Sequence, residues 1–144
     1  IHVAGDFFSA DYMQAWYSVA MSNPTVLFYA YTKSLTYWDN VVNEMPILNN
    51  FVLTASYGGR ADHMISELGL RSTTVVYSEA EAEKLGLAID HDDSHAARPS
   101  LRNQDFALLI HGTQPKGSDA AVALRALKGK GSYSRKKNKA LAIA

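Results

Sequence analysis

A chain of 144 residues with 47% hydrophobic and 19% charged content fits one ordinary domain with a substantial core and excludes a disordered polymer. It has no cysteine, which excludes disulfides, thiolate zinc and any iron–sulfur cluster held by this chain itself. Formal net charge is zero, yet six of the 14 basic residues (Lys128, Lys130, Arg135, Lys136, Lys137, Lys139) lie in a last stretch without acids, so an acidic body carries a basic tail.

Residues 1–7 form an apolar run that ends on Gly5, Asp6 and Phe7, and read as a buried strand because both faces of a parallel sheet are covered. The chain enters this run at Ile1 without a Met, which reads as a fragment or processed product with upstream elements missing. Ser9 is a good N-cap for a helix whose Tyr12, Met13, Trp16, Tyr17 and Ala20 recur at helical spacing, stopped by Asn23 and Pro24. Residues 25–31 are a second strand by β-branched and aromatic content, followed by Thr32, Lys33 and Ser34. Thr36 is the predicted cap of a helix with Trp38, Val41, Val42 and Met45 on one stripe. Residues 51–55 are a third strand, running into Ser56 and the paired Gly58 and Gly59, which permit a tight turn. Ala61, Met64, Ile65 and Leu68 make the next helical face, closed by Gly69.

Residues 73–77 predict a fourth strand. Ser78 and Glu81 have the spacing of a capping box for a short helix that ends at Gly86. Residues 88–104 read as a polar connection of about seventeen residues, long against the usual four to six, and therefore as a lid or a mobile loop. Residues 106–110 are a fifth strand, ending on His111, Gly112, Thr113 and Gln114. Ser118 or Asp119 caps a last helix through Leu124 and Leu127. Five successive βα units predict a parallel sheet or a partial (β/α) barrel over residues 1–127, with residues 128–144 as the basic tail.

In such folds ligand sites form at the C-terminal ends of the strands. There the chain offers Asp6, Thr32, Lys33, Ser56, Ser78, His111 and Gln114. We expect Asp6 to accept from an amine or hydroxyl and Lys33 to hold an anionic group. The competing reading for these two is a mutual ion pair or a turn bond. Thr32, Ser56 and Gln114 are further ligand contacts, while Ser9, Thr36 and Ser78 have a sufficient role as helix caps. His111 and Asp6 are the catalytic candidates, His111 because an imidazole transfers protons near neutral pH.

The run His91, Asp92, Asp93, Ser94, His95 contains metal-ligand types, but it lacks the Glu of the helical zinc motif and falls in the predicted connection, so no metal site is assigned. Gly58 and Gly59 resemble a phosphate-cradling turn without any GxGxxG or Walker pattern around them. No apolar run is long enough to cross a bilayer and no leader-like n-region is present, so membrane contact is not expected and the location reads as cytoplasmic.

Residues 1–9, 28–34 and 110–114 together resemble the phage-encoded "gene product eighty-eight" family, whose function is unassigned. Members carry a cysteine-containing segment upstream of the strand seen here at residues 1–7. A more distant likeness is to the radical S-adenosylmethionine enzymes, built on a partial barrel of six strand–helix units. That resemblance implies S-adenosylmethionine as a cofactor, with Ala4, Gly5 and Asp6 at the turn that holds the methionine amino group and Ser56 near the ribose. It also implies a cluster held by cysteines outside this chain.

Two expectations of function follow. One is a small-molecule or nucleotide-like ligand site at the strand ends around Asp6, Lys33, Ser56 and His111. The other, from a different class, is a non-catalytic interaction protein of an infected host cell, engaging nucleic acid or a host protein through loop 88–104 and the basic tail. Neither substrate nor oligomeric state is specified.

Overall fold

A computed structural model describes residues 1, 2 and 5–133; most of the basic tail therefore lies outside the described residues. Helices and strands alternate: α1 (Ala10–Ser22), β1 (Phe28–Thr32), α2 (Leu35–Glu44), β2 (Phe51–Ser56), α3 (His63–Glu67), β3 (Ser72–Val76), α4 (Glu79–Leu85), β4 (Ala88–Asp90), α5 (Ser94–Ala97), a 3₁₀ turn (Pro99–Leu101), β5 (Phe106–Leu109) and α6 (Asp119–Ala126). The strands form one five-stranded sheet in the order β1-β2-β3-β5-β4. The α/β class and the parallel sheet are as the sequence predicts, with β1 to β2 and β2 to β3 both paired in parallel.

Two expectations are corrected. The described part of residues 1–7 is not a strand. Gly5 has φ 88°, outside the extended region, so the run cannot continue a ladder through it. The segment nevertheless follows the edge of β1. The Ile1 nitrogen donates to the Tyr29 carbonyl at 2.8 Å, and the Lys33 amide donates to Asp6 at 2.7 Å. The fifth strand is instead β4, inside the predicted polar connection, where three residues are too few to show a period. Besides β4, that connection holds α5 and the 3₁₀ turn.

The chain divides into two compact units. The first comprises Ile1–Thr74 and Asp93–Phe106. Its core gathers Phe7, Met13, Tyr17, Ala20, Ala30, Val41, Phe51 and Leu53. Met13, Tyr17 and Ala20 are spaced i, i+4, i+7 and so share one face of α1. They pack on Ala30, Phe51 and Leu53, which share one face of β1 and β2 because side chains alternate along a strand. Ser9 caps α1 as expected, its hydroxyl accepting the Tyr12 amide at 3.1 Å.

The opposite face of the same strands is polar. In the parallel register Tyr29 stands beside Val52, Tyr31 beside Thr54, and Ser56 beside Thr73. The Tyr29 and Tyr31 hydroxyls donate to the two oxygens of Asp93, at 3.1 and 2.8 Å. Arg71 donates to the His95 carbonyl at 2.9 Å and to the Thr54 hydroxyl, and its guanidinium lies 6.0 Å from the Phe106 ring centre. His95 stacks on the same ring, with centres 5.1 Å apart.

The second unit comprises Val75–Asp92 and, among the described residues, 107–133. Val76, Ala82, Ala107 and Leu109 form its core, with Leu87, Ile89 and Leu127 packed against it. The Ser78 hydroxyl accepts the Glu81 amide at 3.2 Å while Glu81 reaches back to the Tyr77 amide at 2.7 Å, a reciprocal cap close to the predicted box. Ser132 is buried: its hydroxyl accepts the Leu109 amide at 2.9 Å and donates to the Asp90 carbonyl, joining β5 to the end of β4.

Candidate functional site

In the first unit the ends of β1 and β2 collect four of the predicted site residues. Asp6 Oδ1 accepts from the Thr32 hydroxyl at 2.6 Å and from the Phe7 amide at 2.7 Å, while Oδ2 accepts from the Lys33 amide at 2.7 Å. Thr32 is 1% exposed, and its oxygen also accepts the Ser34 amide at 3.0 Å. The Ser34 hydroxyl donates to the Phe7 carbonyl at 2.7 Å and so makes no cap bond to α2, although Ser34 holds the N-cap position. The predicted cap, Thr36, is instead the second helical residue. Both Asp6 oxygens are thus committed to fastening the N-terminal segment to the end of β1.

Of the alternatives for Asp6 and Lys33, the backbone bond is the one formed: the carboxylate holds the Lys33 amide, not its ammonium. The exposed Lys33 side chain instead lies over the turn after β2, with Nζ 3.5 Å from the Gly58 carbonyl, and enters no ion pair among the described residues. Both glycines leave room for this approach. A Cβ on Gly58 would stand 3.1 Å from Lys33 Nζ, and one on Gly59 would stand 3.0 Å from Lys33 Cβ and 3.3 Å from Asp62 Oδ1. Gly58 also has φ 96°, which disfavours any side chain there.

The phosphate-like reading of this turn is answered by a residue that the sequence analysis missed. Asp62 accepts the amides of Gly58 and Gly59, each at 2.9 Å, so the donors that would cradle a phosphate are taken by a carboxylate of the chain itself. The available signal was an acid within one turn of paired glycines, a local side-chain-to-backbone pattern. Ser56 closes β2, one residue beyond Ala55, the partner of Thr32.

The remaining predicted residues lie in the second unit. His111 follows β5, and its Nδ1 is 2.9 Å from the Leu109 carbonyl. That carbonyl can only accept, so Nδ1 carries the proton and Nε2 is the basic nitrogen. The Tyr133 ring meets the imidazole edge-on at 4.8 Å, and Gln114 donates to the His111 carbonyl at 2.7 Å, holding the loop in place.

The run from His91 to His95 is divided between the two units, Asp93 to His95 belonging to the first and His91 and Asp92 to the second. Asp93 is bound by Tyr29 and Tyr31 and His95 stacks on Phe106, whereas the His91 carbonyl accepts from the Tyr133 amide at 3.1 Å. Among the described residues no three His, Asp or Glu side chains gather into a metal-holding group. Likewise, no helix among them is long and apolar enough to cross a membrane.

The match to a family model is broad, running over residues 1–135 and to the family described as Gene product 88. The chain belongs to the Gene product 88 family. This is a phage protein family of unassigned function, and the family assignment agrees with the resemblance carried by residues 1–9, 28–34 and 110–114. No curated protein and no solved structure matches the chain.

Proposed function

We propose that this Gene product 88 protein binds a small anionic molecule at the C-terminal ends of β1 and β2, with Lys33 as the residue that takes the negative charge. One observation carries the reading. Asp6 binds the Lys33 amide rather than its ammonium, which touches the Gly58 carbonyl and enters no ion pair among the described residues, at the end of a parallel strand where α/β ligand sites form. Asp6 and Thr32 are then positioning residues, and Ser56 supplies a hydroxyl at the end of the neighbouring strand. In the second unit His111 is the proton-transfer candidate, through Nε2, with Gln114 bracing its loop.

The radical S-adenosylmethionine likeness set Ala4, Gly5 and Asp6 at a turn after a strand of residues 1–7, and the described part of that segment is not a strand. Residues 88–104, through which the interaction reading would engage a partner, hold β4, α5 and the 3₁₀ turn.

The test is a titration of the isotope-labelled full chain with inorganic phosphate, followed by amide chemical shifts. Saturable shifts are expected at Lys33, Gly58 and Gly59, and Lys33→Gln should abolish them. Shifts that are absent from these residues, or unchanged in the variant, would refute the proposal.

A further inference from the structure

Resting on the anion site just proposed, we infer that its ligand is a nucleoside monophosphate, a phosphate joined to a flat aromatic base. Lys33 by itself would accept any anion, and it is the neighbouring aromatic surface that narrows the class. Phe8 is 74% exposed, a poor placement for an apolar ring unless something covers it. Its inner face is stacked on Tyr12, with ring centres 4.4 Å apart and planes 19° apart, so the ring is backed while its outer face meets solvent. A backed, exposed ring is a platform for a second planar group.

The platform and the cation are joined through one hydrogen bond. The Ser34 hydroxyl holds the Phe7 carbonyl at 2.7 Å; Phe8 is the next residue on one side and Lys33 the preceding residue on the other. Backbone dimensions then keep the Cα atoms of Phe8 and Lys33 within roughly 15 Å of each other. Tyr57, which directly follows β2 and is 39% exposed, adds a second aromatic ring at the same strand ends, one residue before Gly58. A flat base on Phe8 with its phosphate on the Lys33 ammonium uses both features, and an aliphatic anion would use only one. Stacking on one face reads no base edge, so the site should accept any of the common bases.

The experiment titrates the labelled full chain with AMP, with adenosine and with inorganic phosphate, using the wild type, Phe8→Ala and Lys33→Gln. Phe8 is exposed, so its truncation leaves the core intact. AMP should shift the Lys33 and Gly58 amides together with the Phe8 and Tyr12 ring protons. Phe8→Ala should weaken AMP by about fivefold or more, the low end for base stacking on an aromatic side chain, and leave phosphate binding unchanged. If phosphate shifts Lys33 but AMP binds no tighter, or Phe8→Ala leaves AMP affinity unaltered, the nucleotide inference is overturned while the anion site stands. If neither anion moves Lys33, both fall.

Discussion

The two faces of β1 and β2 are held by different physics. One face presents Ala30, Phe51 and Leu53 to α1 and α2, and its stability comes from apolar area removed from water, with Phe7 and Met13 at 2% and 0% exposure. The other presents Tyr29, Tyr31 and Thr54 to a polar layer of Asp93, Arg71 and His95, held by paired donors and acceptors. An apolar face loses stability in proportion to what is removed. A polar one loses most when a single partner goes and the other is left buried. The Thr73 hydroxyl, buried on the polar side, has no hydrogen-bond partner among the described residues, so the pairing of that layer is incomplete.

The comparison can be broken at its apolar side first. Phe7→Ala should cost about 3–5 kcal/mol in denaturant unfolding, the usual range for a buried aromatic residue cut to alanine. Because Phe7 also sits between Asp6 and the Ser34 bond, the Lys33 and Gly58 amide resonances should broaden. A cost below about 1 kcal/mol would mean that the N-terminal segment is not part of this core.

A smaller effect is expected on the polar side. Arg71→Met keeps the stem but leaves the His95 carbonyl and the Thr54 hydroxyl without their donor, for an expected loss of about 1–3 kcal/mol. A neutral outcome by the same unfolding measurement would place the strength of that face in Phe106 packing alone.

The smallest effect appears only at alkaline pH and separates the faces by sign. Burial raises the Tyr17 hydroxyl above its ordinary value of 10.0, so the folded state holds that proton more tightly than the unfolded chain does. Its contribution is therefore complete below pH 10 and is lost as pH rises through the folded value. Tyr17→Phe should flatten the fall in stability above that pH in thermal melts. Arg71 works the other way: burial pushes its guanidinium below its usual range, a cost already present at neutral pH. An unchanged alkaline slope in Tyr17→Phe would remove Tyr17 from the account.

Much of this was legible in the chain because it depends on near neighbours. Ser9, Ser78 and Ser118 cap helices by contacts three residues ahead, and Gly86 ends α4 in the left-handed conformation, all within one turn. Lys33 at a strand end was readable for the same reason. What Asp6 binds was not, since its partners Thr32 and Lys33 are more than twenty-five residues away. Asp93 falls in the predicted polar connection, yet it is the acceptor for two tyrosines over sixty residues earlier.

The sequence by itself therefore determined the α/β class, the helix caps, the absence of cysteine chemistry and the positions where strands end in polar residues, because period, capping and turn chemistry act along the chain. The tertiary structure alone decided that the described part of residues 1–7 forms no strand, that β5 pairs inside β4, and that the Asp6 carboxylate takes the Lys33 amide. Each of these outcomes is a choice between partners distant in sequence. Such choices are settled by which groups can be buried and hydrogen-bonded together, and composition and periodicity do not record that.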